Sequence, residues 1–315
     1  MILFSVVVCT HNRVDLLKRS LLSLTCQNIP ATEFEIIVID NNSTDETKYL
    51  VDDLQQLFTN IRYEFEAQIG LSYSRNRGYQ KASGEYVVYV DDDCDMPLNW
   101  LWEAKNICAD HKYDIMGGPI YPFYISNKSK WYKDEYAILS HGSTPRYLDG
   151  KEFLFGGNLF IKRHLFNIHG GFNPDFGMSG KVIGYSEETE LQLRIRNEDP
   201  SLQIYYNPLL FVDHVVRPEK LNINWWVRSF IAKGRSNYVL SRIIETQVPK
   251  TKIQKKIQVL SVLIKIMLHL MIAYIFRNRN RYVYSSNYIY EKMQGHFKKL
   301  GYCIEECQQH SNKAQ

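Results

Sequence analysis

With 315 residues, 45 % of them hydrophobic and 13 % aromatic, the chain has the apolar material for one large domain or a domain with an appendage, which excludes a disordered protein. Its net charge of +4 divides unevenly: residues 217–315 carry 18 Lys and Arg against 5 Asp and Glu, or +13, and the remaining 20 against 29 give residues 1–216 a net −9. An acidic front part argues against nucleic acid as its main ligand, while a basic rear part with long apolar runs points to an anionic membrane surface.

The amino terminus is apolar but short, with neither a basic leader nor a small-residue cleavage site, so it reads as a first strand over residues 2–9. The Thr10-His11-Asn12-Arg13 loop follows, then a helix whose apolar face holds Leu16, Leu17, Leu21, Leu22 and Leu24. A second strand over 35–39 stops at Asp40 and enters Asn41-Asn42-Ser43-Thr44-Asp45, a turn composition that also caps a helix over 46–58. A short strand near 61–65 and a helix over 71–82 carrying Arg75, Asn76 and Arg77 come next. The Ser83-Gly84 turn then delivers the chain into Tyr86-Val87-Val88-Tyr89-Val90, an apolar strand that ends in Asp91-Asp92-Asp93.

Three adjacent carboxylates repel one another and are tolerable only when well solvated or offset by a bound cation. Strands alternating with helices at this spacing imply a mostly parallel sheet with helices on both faces, and ligands bind beyond the carboxyl ends of such strands. Thr10–Arg13, Asp40 and Asp91–Asp93 all fall at that edge and should converge on one crevice. No G-x-G-x-x-G follows the first strand and no G-x-x-x-x-G-K-[ST] occurs, so neither a dinucleotide fold nor a P-loop is supported. The six cysteines are scattered, only Cys303 and Cys307 lie close together, and all read as reduced, cytosolic thiols.

The segments VVVCTHNR, EIIVIDNNSTDET, GLSYSRNRGYQKASGEYVVYVDDD, FGGNLFI, GGFNPDFG and YSEETELQLRIR, in this order, resemble a family 2 glycosyltransferase over roughly residues 1–216. The resemblance implies the GT-A fold, a nucleotide-sugar in the crevice, a divalent metal on the acidic motif and inversion at the anomeric carbon. It makes Asp91 the contact to ribose or nucleotide, Asp93 the metal ligand and Asp92 their neighbour. Asp95 is an alternative ligand, since 93–95 also has the D-x-D form. Asp40 carries over as the nucleobase contact, helped by Thr10, His11, Asn12 and Arg13.

Mg²⁺ or Mn²⁺ suits carboxylates and stabilises the charge growing on a nucleoside diphosphate as it leaves. Arg75 and Arg77 share one turn and are placed to reach that diphosphate. Gly156, Gly157 and Asn158 follow a strand-like 153–155, where paired glycines permit close approach to a ligand or simply a turn, and Gly157 and Asn158 are expected at the nucleotide-sugar. Transfer also needs a base on the face opposite the diphosphate. Ser186 resembles an N-cap, which puts Glu187 and Glu188 in the first turn of a helix, where the dipole favours acids in any case. The family pattern is Glu-Asp with the Asp as base, so Glu188 takes that position and Glu187 is the reserve. His214, following an apolar stretch at 209–212, is either structural or near metal and phosphate, as in related enzymes. Residues 177–181, rich in glycine, form a lid or only a loop.

In the rear part, Ser261, Lys265 and His269 make one polar stripe in the apolar run 259–276, flanked by Lys250, Lys252, Lys255, Lys256, Arg277, Arg279 and Arg281. A lysine near the centre opposes a crossing, so the helix lies in the membrane interface or packs on the catalytic domain. Trp225, Trp226 and Phe230 add aromatic surface for membrane or sugar, and the chain from Gln308 onward reads as disordered. The expectation is a catalytic domain at 1–216 and a basic helical region at 217–315, peripheral on the cytoplasmic face of a membrane. It would move one sugar to a glycan or lipid-linked hydroxyl. The alternative is a non-catalytic nucleotide-sugar-binding protein of the same fold.

Overall fold

The computed structural model describes residues 2–110, 113–180, 182–244 and 250–311. The chain forms two compact units: Met1–Phe123, Ala137–Lys181 and Glu187–Val215 make the first, and Tyr124–Tyr136, Val182–Ser186 and Val216–Gln315 the second.

The first unit runs β1 (Phe4–Thr10), α1 (Val14–Thr25), β2 (Phe34–Asp40), α2 (Thr47–Leu57), β3 (Ile61–Phe65), α3 (Leu71–Lys81), β4 (Tyr86–Asp91), β5 (Cys94–Asp95) and α4 (Trp100–Asp110). It continues with β6 (Ile115–Gly117), β7 (Ile120–Phe123), β8 (Arg146–Tyr147), β9 (Asn158–Lys162), α5 (His164–His169), α6 (Glu187–Glu198), β10 (Ile204–Tyr206) and β11 (Val212–Val215). Eight strands form one sheet in the order β3-β2-β1-β4-β9-β6-β10-β8, and β5-β11-β7 form a small second sheet. The β3-β2-β1-β4 half is parallel, as the strand–helix alternation predicts, but β9 inserts antiparallel between β4 and β6, so the sheet is mixed.

Strand periodicity divides the core. Val6, Val8, Ile36, Val38, Val88 and Val90 face one side, packed with Leu17, Leu21 and Leu24 of α1 and Trp100 of α4. Val7, Ile37, Ile39, Val87 and Tyr89 face the other, with Leu191 and Ile195 of α6. Both faces are covered, which is why the central strands read as nearly unbroken apolar runs.

Residues 153–155 are not a strand. The Leu154 N–H donates to Gln192 Oε1 at 2.8 Å and its carbonyl accepts from Gln192 Nε2 at 3.0 Å, so a buried side chain replaces the ladder partner. The strand begins after the glycines, at Asn158.

In the second unit α7 (Ile223–Ile244), α8 (Lys252–Met271) and α9 (Ser285–Ser311) pack together, with a π-helical turn Ile272–Phe276 after α8. A Cβ on Gly234 would collide with the Lys298 carbonyl and one on Gly301 with the Ile231 carbonyl, so reciprocal glycines let α7 and α9 approach closely. Phe230 is buried here, and Trp226 packs on Tyr290 and Phe230, so this aromatic material is core. Helix α9 continues through Gln308, held by Arg235, which overturns the expected disorder there; 312–315 lie outside the described residues.

Candidate active site

Register builds the crevice edge. Thr10 pairs with Asp40 and Cys9 with Asp91, so the carboxyl ends of β1, β2 and β4 stand level. Hydrogen bonds then stitch their loops together. Thr10 Oγ1 donates to Asp92 Oδ2 at 2.8 Å and Arg13 Nη1 to Asp92 Oδ1 at 2.9 Å. Burial and the neighbouring Asp93 push the Asp92 carboxyl up while Arg13 pulls it down. Asn12, at φ 54, accepts from the Thr44 N–H, and the His11 ring bonds the Asn41 carbonyl at 2.7 Å. The 10–13 loop is therefore braced against both the acidic strand end and the 41–45 turn.

Asp40 is buried and accepts from Ser43 N–H at 2.9 Å and from Tyr63 Oη at 2.8 Å. Tyr63 was not singled out in the sequence, since an alternating tyrosine on a short strand carries no signal of its own. Asp45, not Asp40, does the capping work, accepting from Thr47 and from the Val14 N–H that opens α1.

Strand β11 pairs antiparallel with β5, setting His214 opposite Cys94, and the Val215 N–H donates to the Asp93 carbonyl at 2.8 Å. His214 thus lies inside a strand, not after one, and its Nε2 sits 3.1 Å from Asp93 Oδ1. Asp91, Asp93, Cys94 and His214 offer donor atoms all within 4.8 Å of one another. Two carboxylates and an imidazole fit a divalent cation such as Mn²⁺ or Mg²⁺. Cys94 is a poorer member: burial, reinforced by Asp91 and Asp93, pushes its thiol well above the ordinary range. Asp95 instead pairs with Arg19, its Oδ2 accepting from Arg19 Nε at 2.6 Å, and stands outside this group.

Arg75 departs most from its expected place. Instead of reaching out from a helix surface, it is buried, with Nη1 2.8 Å from Glu187 Oε1, Nη2 3.1 Å from the Gly156 carbonyl and Nη2 3.6 Å from Asp91 Oδ1. Burial acts to lower its pKa, but Glu187, Asp91 and Glu188 outweigh this and raise it, so the charge is retained. Arg77 pairs with Glu64 on β3 at 3.2 Å. The two glycines explain themselves against these groups. A Cβ on Gly156 would lie 2.7 Å from Arg75 Nη2, and one on Gly157 2.6 Å from Asp91 Oδ2. Asn158, expected at the donor, is fully buried and donates to the Pro119 carbonyl at 3.2 Å and the Leu210 carbonyl at 2.5 Å. It ties β9 to the segments leading into β7 and β11.

Helix α6 begins at Glu187, and Ser186, at φ 76, lacks the extended backbone of an N-cap. Glu187 is buried against Arg75, whereas Glu188 is half-buried. The 177–180 loop is fastened to the start of α3: Leu71 N–H donates to the Met178 carbonyl at 2.8 Å and Ser179 Oγ to the Ile69 carbonyl at 3.1 Å. Lys181 lies outside the described residues.

A family model described as glycosyl transferase family 2 matches residues 5–172, more than half of the chain. The chain belongs to glycosyltransferase family 2. A glucosyl-dolichyl phosphate glucuronosyltransferase of Haloferax volcanii is 24 % identical over 242 residues, covering 75 % of this chain and 76 % of that protein. A Campylobacter jejuni GalNAc(5)-diNAcBac-PP-undecaprenol beta-1,3-glucosyltransferase is 39 % identical over 107 residues, 32 % of this chain and 34 % of that one. The solved structure of a mannosyltransferase from Pyrobaculum calidifontis, in complex with GDP-Man and Mn²⁺, matches with TM-score 0.61 at 17 % identity, over 99 % of this chain and 88 % of that one. This family 2 glycosyltransferase therefore has the GT-A fold, with its acidic strand end, β11 histidine and α6 carboxylates in the first unit.

Proposed function

We propose that this glycosyltransferase moves one sugar, with inversion and with metal assistance, from a nucleoside-diphosphate sugar to a hydroxyl of a glycan or lipid-linked acceptor in cell-surface polysaccharide or glycolipid synthesis. The observation that carries the reading is the Arg75 bridge, which joins the α6 carboxylate pair to the acidic strand end through Glu187 and Asp91. In this reading Asp91 binds ribose or nucleotide, with Gly157 beside it, Asp93 and His214 hold the cation, and Asp40 takes the nucleobase beside the 10–13 loop. A bound Mn²⁺ or Mg²⁺ would supply Lewis-acid stabilisation of the leaving diphosphate. Glu188 accepts the acceptor hydroxyl's proton as that oxygen attacks. Glu187 is taken up by its 2.8 Å ion pair with the buried Arg75, which favours Glu188 as base. Relatives named for dolichyl- and undecaprenol-linked chemistry support a lipid-linked acceptor. An acceptor of that kind lies in a membrane, and the reading accordingly puts the enzyme peripherally on the inner face of one.

The test is calorimetric binding of UDP, GDP and dTDP, each with Mn²⁺ and with EDTA, alongside donor hydrolysis, for the wild type, Asp93→Ala and Glu188→Gln. One nucleotide should bind only with metal, and Asp93→Ala should lose it. Glu188→Gln should keep binding and lose about 10²–10⁴-fold in turnover. Unchanged turnover in Glu188→Gln would remove the base assignment, and binding without any turnover in the wild type would favour the non-catalytic alternative.

A further inference from the structure

Helix α8 is amphipathic in an unusual sense, with a buried apolar side and an exposed apolar side. Val262 and Ile266, with Ala273 of the π-helical turn that follows, share a core with Phe230 of α7 and Tyr288, Met293 and Phe297 of α9. On the outer side Ile253, Ile257, Leu260, Ile264, Met267 and Met271 recur at helical spacing, each between 46 % and 70 % exposed. The stripe continues into the π-helical turn, where residues 274–276 are 61–66 % exposed. A contiguous apolar face of this length is far more than single scattered surface hydrophobes.

Along the segment itself the charge has one sign, and the acid that α9 brings to it, Glu306, pairs with Lys250 at its start. Residues 250–290 contain eight Lys and Arg and no Asp or Glu. Lys256, Lys265, Arg279 and Arg281 are exposed along and beyond the stripe. A second copy of the chain docked face to face would set these basic rims against each other, because a two-fold contact pairs the same patch with itself. Anionic headgroups complement them.

The segment Ile253–Phe276 is long enough to cross a bilayer. Crossing is nonetheless incompatible with the fold, because the inner side of α8 is shared with α9. That helix carries Glu291, Lys292, Lys298, Lys299, Glu305 and Glu306 and would have to enter the hydrocarbon with it. His269 also bonds Tyr288 of α9, its Nδ1 2.8 Å from the hydroxyl.

We infer that the outer side of α8 and the 272–276 turn are an in-plane docking face for an anionic membrane. The apolar stripe is sunk to the level of the acyl boundary, α7 and α9 are held above it, and the basic residues lie among the headgroups. This assigns a surface and an orientation to the membrane-peripheral location proposed above and rests on that reading for its purpose, but its test is independent of catalysis.

The full-length protein is mixed with phosphatidylcholine vesicles, with or without phosphatidylglycerol, and sedimented. Binding is expected to the anionic vesicles, to weaken with salt, and to fall roughly fivefold for each charge removed in Arg279→Gln and Arg281→Gln. The paired Ile264→Glu, Met267→Glu variant, changed only at exposed positions, should lose binding by at least about tenfold while keeping its far-ultraviolet circular dichroism. Metal-dependent nucleotide binding is measured on the same samples, so a failed donor site and a failed membrane face are read separately. The inference is overturned by absence of vesicle binding, by a paired variant that binds like wild type, or by retention in the membrane after alkaline carbonate extraction. It is also overturned by a dimer that the paired variant dissociates without any vesicle binding.

Discussion

Arg75 and Glu187, 112 residues apart in sequence, meet with Nη1 2.8 Å from Oε1 in a site where neither is more than 6 % exposed. Removing one partner of such a pair leaves an uncompensated buried charge, which costs about 3–5 kcal/mol. Arg75→Ala should therefore destabilise the protein by about that amount in urea unfolding. The Arg75→Met, Glu187→Leu double variant should be less destabilised than the sum of its single changes, because both charges leave together. Additive effects in that cycle would show that the pair is not coupled.

Gly157 stands where a single methyl group would fall 2.6 Å from Asp91 Oδ2. Gly157→Ala should displace that carboxylate and weaken metal-dependent nucleotide binding by roughly tenfold or more, about 1.4 kcal/mol. Gly150→Ala is the control, since a Cβ there meets nothing within 4 Å. Equal affinities for the two variants would show that Asp91 is not in the donor site.

The level strand ends were legible because they depend on local pattern. Apolar runs of strand length closed by Asp40 and Asp91 place those acids at one edge once the sheet is parallel, and the Thr10–Asp40 and Cys9–Asp91 registers have that form. Arg75 was not legible. A helix with a mean polarity as high as that of α3 reads as a surface helix, and only the later arrival of Glu187 and the Gly156 carbonyl supplies the partners that allow its burial. His214 beside Asp93 depends on an antiparallel pairing between β11 and the two-residue β5, which no periodicity reveals. Asn158 misled for the converse reason, since a polar residue after two glycines looks like a ligand contact when it is a buried tie between backbone carbonyls.

The His214–Asp93 contact predicts a graded metal phenotype. Asp93 is buried with an oxygen 3.1 Å from His214 Nε2, and Asp91 is within reach of both. Mn²⁺ titration followed by electron paramagnetic resonance should show a large loss of affinity in Asp93→Asn and a smaller one in His214→Ala. Cys94→Ser should bind about as the wild type does, because a hard cation does not need the sulfur. A Cys94→Ser loss as large as that of Asp93→Asn would instead place the sulfur in the coordination sphere.

Glu35 supplies a pH prediction on the fold itself. Its carboxylate, almost fully buried at the start of β2, accepts from Ser5 Oγ and the Ser83 N–H at 2.7 Å each and from Arg62 Nη1 at 2.7 Å. Burial acts to raise its pKa, but these donors to the charged form outweigh it, so the value falls below the ordinary 4.5. A carboxylate with a depressed folded-state pKa contributes stability that is present above its unfolded pKa and is lost as the pH falls through the folded value. The stability difference between wild type and Glu35→Gln should thus be about 1–3 kcal/mol near neutral pH. It should stay level down to about one unit above the ordinary carboxylate value and shrink below that. Urea unfolding of both proteins across the acidic range measures it, and a difference that widened on acidification would mean that the carboxyl, not the carboxylate, is the form the fold prefers.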